Sequence, residues 1–274
     1  MKEVYTHGKE IDLEELKVLQ MDVLQAIDDF CEDNSIRYSL ACGTLLGAVR
    51  HKGYIPWDDD IDIYVPREDY NRLLSVFPET YKERYKLISL ERNAQWTHPY
   101  AKAYDNNTLL EENARNEEII GVNIDIFPVD EVPAGNDWLV YNKKRRRLLY
   151  LFSLKFVRLS RHRSISKNCL ILLFRLLTFF YSTRKWAERI DGLAQENNGK
   201  GYDHLFECCQ GLLQKQPFAK SLFDSLVYIP FENRQFKAFA DSDIYLRNGF
   251  GDYMQLPPIE KRISHHDFKA YWKI

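Results

Sequence analysis

No stretch of this 274-residue chain is apolar for long enough to span a membrane. The most hydrophobic run, CLILLFRLLTFFY at residues 169–181, is 13 residues long and contains Arg175, whereas a spanning helix needs about 20 apolar residues. The opening segment MKEVYTHGKEIDLEEL has no apolar h-region, so no secretory signal is read there and a cytoplasmic protein is expected. Cysteine is scarce and poorly placed for chemistry. Cys31, Cys42, Cys169, Cys208 and Cys209 form no C-x-x-C pair and are odd in number, which argues against a thiolate metal site and against a disulfide framework. Internal repeats and low-complexity linkers are absent as well. One sign of charge is missing locally: residues 143–187 hold 13 Lys or Arg and no Asp or Glu. Outside that segment 25 basic residues face 40 acidic ones, so a net charge of −2 conceals two surfaces of opposite sign.

What remains is an ordinary globular composition, 45% hydrophobic and 28% charged, rich in Tyr (17) and Phe (16). At this size a catalytic domain with a helical companion is affordable. Residues 11–34 repeat Leu13, Leu16, Leu19, Val23, Leu24, Ile27 and Phe30 near a 3.6-residue period, which predicts an amphipathic helix stopped near Asn34. A short strand over 36–41 is expected to enter a turn at Cys42-Gly43-Thr44, followed by a helix over 44–51. Alternation over 60–65 (DIDIYV) and 121–128 (GVNIDIFP) predicts two strands. Between them, 67–77 reads as a helix, and 85–90 and 100–104 as further strands. Beyond Asp137 the pattern turns helical, basic and aromatic. Strand-like composition returns at 226–231, and the remaining C-terminal stretch is rich in turn residues.

The acidic run Asp58-Asp59-Asp60-Ile61-Asp62 is the sharpest feature. Four carboxylates in five residues repel one another, and Asp is a poor strand former. Solvent or a cation makes such a run tolerable. Placed on a strand, Asp58, Asp60 and Asp62 share one face, close enough for one hard ion. All-oxygen ligation of that kind suits Mg²⁺, with Mn²⁺ as a substitute. Asp125, between Ile124 and Ile126, completes a three-carboxylate site if its strand lies beside the first. Gly43-Thr44, between a strand and a helix, is a candidate phosphate cradle. Each feature alone has a bland alternative, a solvated loop or a cap; their order along the chain favours a site.

These residues lie in blocks that closely resemble the LicD family, whose relatives include fukutin and fukutin-related protein. The blocks are GTLLGAVRHKGYIPWDDDIDI (43–63), VNIDIFPVD (122–130) and FGDYMQLPPIEKRISHH (250–266), with YAKAYDNNT between them. The resemblance implies an α+β fold, a nucleotidyltransferase-like mixed sheet flanked by helices, here with an added basic helical region. It further implies transfer of a phospho-substituent from a CDP-activated donor to a glycan hydroxyl, with CDP-choline the typical donor of bacterial members. By motif match Asp60 and Asp62 are the metal pair and Asp125 the third acid, with Asp58 an additional ligand. Asp60, Asp62 and Asp125 are thus the catalytic candidates. Substrate-binding candidates are Gly43, Thr44, Arg50, Lys52, Trp57, Lys102, Arg262, His265 and His266. Trp57 is the expected aromatic face for a choline headgroup, because a quaternary ammonium donates no hydrogen bond. Two alternatives stay open: another phospho-polyol or phospho-sugar as cargo, and a non-catalytic binding protein of the same fold.

Three regions are expected: a catalytic core at 1–136, a basic helical region at 137–225, and a C-terminal segment at 226–274 that completes the active site. The basic region reads as a subdomain packed on the sheet, or as a contact with an anionic membrane surface. Nucleic acid is the poorest fit, because no recognition motif is present and the rest of the chain is acidic.

Overall fold

A computed structural model describes residues 6–112, 119–157, 159–160, 164–210, 216–262 and 268–274. In chain order the elements are β1 (His7–Ile11), α1 (Leu13–Asp33), β2 (Ser39–Leu40), α2 (Cys42–His51), β3 (Asp62–Pro66), α3 (Arg67–Val76), β4 (Tyr85–Ile88), β5 (Ala101–Asp105), β6 (Thr108–Glu112) and β7 (Asn123–Val132). There follow α4 (Gly135–Phe156), α5 (Ile165–Leu177), α6 (Thr183–Gln195), β8 (His204–Glu207), β9 (Phe218–Ala219), β10 (Leu226–Phe231), β11 (Arg234–Phe239), α7 (Ser242–Phe250) and β12 (Phe268–Lys273). The fold is α+β, with helices flanking a mixed sheet.

The central sheet runs β2-β3-β7-β5-β4, and β8 extends it from the far half of β7, with β9 beside β8. Its β3–β7 pair is parallel and the other pairings are antiparallel. Strand β7 is ten residues long because its halves serve different neighbours: β5 pairs with its start and β8 with its end. β8 lies within 137–225, so the chain returns to the sheet after its helical excursion. A three-stranded sheet, β1-β12-β6, joins the two ends of the chain, and β10-β11 form a separate ribbon. Strand β10 lies where strand-like composition was expected, at 226–231, whereas β1 and β12 escaped the alternation pattern because most of their residues are polar or half-buried.

Helix α1 forms where the periodicity predicts. Asp12 caps it by accepting from the Glu15 N–H at 2.9 Å, and Asn34 closes it by donating to the Phe30 carbonyl at 2.8 Å. Leu16, Leu19, Val23, Leu24 and Ile27 are buried, each contributing about 1.5–3 kcal/mol of apolar burial. Three local expectations need correction. The strand over 36–41 shrinks to Ser39–Leu40. Helix α2 begins already at Cys42, whose φ of 47° makes the corner, so Gly43 and Thr44 stand in its first turn. The strand over 60–65 starts only at Asp62; Asp58 to Asp60 are irregular, as the poor strand propensity of Asp and mutual repulsion require.

At the far end of β3, Arg67 is almost fully buried and clamps three elements together. Its guanidinium donates to both Asp130 oxygens at 2.8 Å and to Asp191 of α6 at 2.9 Å. Asn198 also donates to Asp130, at 2.6 Å. Helices α4 and α6 pack on each other, and with Ile88, Leu90, Trp96 and Ile120 they bury a second core that includes Phe152 and Trp186. Near the end of β8, Glu207 accepts from the Cys209 and Gln210 N–H groups at 2.6 Å, yet burial pushes its carboxyl up to about 7. Among the described residues no helix is long and apolar enough to cross a membrane. Cys31, Cys208 and Cys209 are buried and Cys169 is exposed, all as free thiols.

Candidate active site

The parallel pairing of β3 with β7 sets Asp62 directly opposite Asp125. Both strands bury the flanking isoleucines, Ile61 and Ile63 on one and Ile124 and Ile126 on the other. Alternation then sends the two carboxylates together to the other face. The backbone is fixed on both sides of this pair. The Asp125 N–H donates to the Ile61 carbonyl at 2.8 Å, and the Asp62 N–H donates to the Thr44 hydroxyl at 2.8 Å. Thr44 is buried, with its oxygen engaged by the strand rather than turned outward.

Asp58, Asp59 and Asp60 form the second group, with one carboxylate oxygen from each within 4.8 Å of the others. The irregular backbone makes this possible, since on a strand Asp59 would face away from its neighbours. Asp59 was therefore missed as a candidate by period-two reasoning, although the bare run of acids contained the signal. The Asp59 backbone is held where Gln20 of α1 donates to its carbonyl at 3.0 Å. Burial pushes the Asp62 carboxyl well above the usual carboxylate range, and the charges of Asp60, Asp125 and Asp58 push it further. A hydrogen bond from Cys42 opposes that shift. So many converging carboxylates fit a hard divalent cation, whose charge offsets the repulsion.

Gly43 lies against this cluster. A Cβ built on it would stand 2.6 Å from an Asp58 carboxylate oxygen, so the first turn of α2 can approach the acids only without a side chain. From β5, the Lys102 ammonium lies 3.0 Å from an Asp125 oxygen and 3.2 Å from the Asn123 side-chain oxygen. Asn123 is a second residue the sequence did not single out.

A cationic group adjoins the acids through Trp57, the residue before Asp58. The Arg262 guanidinium lies over the Trp57 ring, 5.5 Å from its centroid, and donates to the Pro257 carbonyl at 2.8 Å. Arg50 donates to the Tyr253 carbonyl at 2.6 Å and to the His51 ring at 2.9 Å. Burial, then the charge of Arg262, lowers the Arg50 guanidinium from its ordinary value. Neither arginine is ion-paired among the described residues, an arrangement that suits an anion placed between them. Lys52 is set apart: it caps α2 with φ 64°, is exposed, and donates to Val49 of its own helix at 3.3 Å. His265 and His266 lie outside the described residues. Tyr64 and Tyr100 are core residues.

Comparison with known proteins agrees with the residue pattern. The family model described as LicD/FKTN/FKRP, nucleotidyltransferase domain, matches residues 35–167, which include every acid of the cluster. The lipopolysaccharide cholinephosphotransferase LicD of Haemophilus influenzae is 34% identical over 269 residues, covering 96% of this chain and 99% of the relative. An uncharacterized protein of Rickettsia prowazekii is 48% identical over 59 residues, 22% of each chain. One from Rickettsia typhi is 35% identical over 80 residues, 29% of this chain and 26% of its own. With a relative matched over nearly its whole length and converging acids supplied by two parallel strands, the chain belongs to the LicD family.

Proposed function

We propose that this chain transfers phosphocholine from CDP-choline to a hydroxyl of a cell-surface glycan such as lipopolysaccharide, in a reaction that requires Mg²⁺ or Mn²⁺. The observation that carries the reading is the Asp62–Asp125 pair, set opposite each other by strand register, with Asp58 and Asp60 near enough for their charges to act on Asp62. The full-length likeness to a lipopolysaccharide cholinephosphotransferase supports the reaction class. Asp58, Asp60, Asp62 and Asp125 would hold the cation, with Asp59 adjoining. Bound there, it supplies neutralisation of the charge on the donor diphosphate and the departing CMP.

The chain's own residues do the remainder. Asp125, steered by Lys102, orients the acceptor hydroxyl and takes its proton. Arg50 and Arg262 offer two adjacent guanidiniums to the diphosphate. Thr44 holds the start of β3 in place through the Asp62 N–H and so positions the carboxylate without touching substrate. Trp57 offers an aromatic face to the choline headgroup, but Arg262 already lies over that ring. The contact favours a second reading, in which the same diphosphate site takes a phospho-polyol cargo that needs no aromatic face.

Release of CMP from CDP-choline, measured with Mg²⁺ and an acceptor glycan, tests the reaction. Asp62→Asn is expected to abolish release, with a fall of at least about a thousandfold, while the protein retains its melting temperature. Release that survives the substitution removes the metal assignment. A melting-temperature screen of CDP-alcohols with Mn²⁺ separates the two cargoes, because the true donor stabilises the fold by binding it.

A further inference from the structure

Helix α5 is turned inside out for a helix facing water. Its Arg175 points inward and donates to the carbonyls of Leu154 and Val157 at the end of α4. Its leucines point outward: Leu172 is 50% exposed, Leu176 73%, and Phe180 just beyond the helix 92%. Leu173, Leu177 and Phe179 are also exposed and widen the same apolar crest. Soluble monomers seldom leave a contiguous patch of that kind uncovered.

Beside the crest, α4 and α6 enclose a groove of about 840 Å³. Lys143, Arg147 and Arg189 line it together with Leu148, Leu151 and Trp186. A smaller hollow of about 300 Å³ between Leu177 and Phe180 shares Trp186 and Arg189 with the groove, so crest and groove form one continuous surface.

We infer that α4, α5 and α6 form a docking face for an anionic lipid bilayer, with the α5 crest entering the acyl boundary and the basic groove taking head-group phosphates. Charge decides the occupant. Lys143, Arg146, Arg147, Lys167, Lys185 and Arg189 are exposed on these helices, while the acids Glu188 and Glu196 are paired with Arg184 and Lys144, so the face keeps an excess of cations and a second copy meeting it through the same face would be repelled. Nucleic acid satisfies the cations but offers no apolar phase for six exposed leucines and phenylalanines. An anionic membrane matches both halves, apolar inside and negative at its surface. Docking of this kind holds whatever cargo the site transfers.

Vesicle flotation tests it with the full chain, using phosphatidylcholine alone or mixed equally with phosphatidylglycerol. Binding is expected to the mixed vesicles, at least about tenfold tighter than to phosphatidylcholine, and weakened by salt. The combined change Leu172→Glu, Leu176→Glu and Phe180→Glu is expected to abolish it. Separately, Lys143→Ala and Arg147→Ala should each lower partitioning by about fivefold; they sit on a different helix and guard against a misfolded crest variant. Wild-type protein that fails to float with mixed vesicles at low salt overturns the inference. So does crest-variant binding at wild-type strength, or self-association that the crest variant abolishes while vesicles are ignored.

Discussion

Replacing Gly43 with alanine separates stability from activity. Gly43 sits in the first turn of α2 with an ordinary helical φ, so alanine is tolerated by the backbone and should favour the helix by about 0.5–1 kcal/mol. The new methyl, however, would stand 2.6 Å from an Asp58 carboxylate oxygen. Carbon and oxygen need roughly 3.3 Å, so Asp58 must retreat by about 0.7 Å. Displacements of that order at a catalytic centre cost about a hundredfold in rate, near 2.7 kcal/mol. The expected outcome is a melting temperature at or above wild type, together with a hundredfold loss of kcat/KM for CMP release. A double-mutant cycle identifies the cause. In an Asp58→Ala background, where the carboxylate is gone, Gly43→Ala should cost almost nothing further. Equal losses in both backgrounds would refute the reasoning, as would full activity of the single variant.

Two other predictions concern the scaffold. Arg67→Met leaves Asp130 and Asp191 without their shared cation in the interior, and urea denaturation should show a loss of about 3–5 kcal/mol; a loss below about 1 kcal/mol would mean the clamp is idle. Glu207 predicts a pH slope. Its folded-state value of about 7 lies above the ordinary 4.5, so the folded chain keeps a proton that the unfolded chain has released. Its contribution is full below the ordinary value and is lost as pH rises through about 7, a change of about 3 kcal/mol. Denaturation of wild type and Glu207→Gln between about pH 5 and 8 should show a steeper loss in wild type than in the variant, and parallel curves would contradict it.

Much of the site could be read from the chain because strands encode geometry simply. Alternating apolar residues around Asp62 and Asp125 gave both strands and the facing of both acids; only the pairing of the strands had to be supplied. Helix α1 was legible for the corresponding reason, a clear period with a capping residue at each end. Asp58 to Asp60 were harder. Period two was extended into a segment whose own repulsion prevents a strand, and Asp59 was left out of the candidate set although its carboxylate joins those of Asp58 and Asp60. Thr44 lies beside the acids as its place in the chain suggested, but nothing local reveals that its hydroxyl would accept from the Asp62 N–H. Long-range pairings such as Lys102 with Asp125, or Arg262 over Trp57, depend on contacts across 23 and 205 positions that no local pattern reports. The apolar character of α5 was plain in sequence, but its outward orientation was not.

Strands β3 and β7 carry the acids at one end and the Arg67–Asp130 clamp at the other, with Asp191 of α6 tied into that clamp. The five residues of β3 span about 16 Å. Because a close-packed interior yields little, α6 and the carboxylates are held in one fixed relation through β3 and β7. The register of β3 on β7 keeps Asp62 opposite Asp125, so whatever fixes the orientation of α6 also fixes the direction in which the pair faces. A molecule built this way presents its acids in a set direction relative to its outer helices without any give in the pair itself.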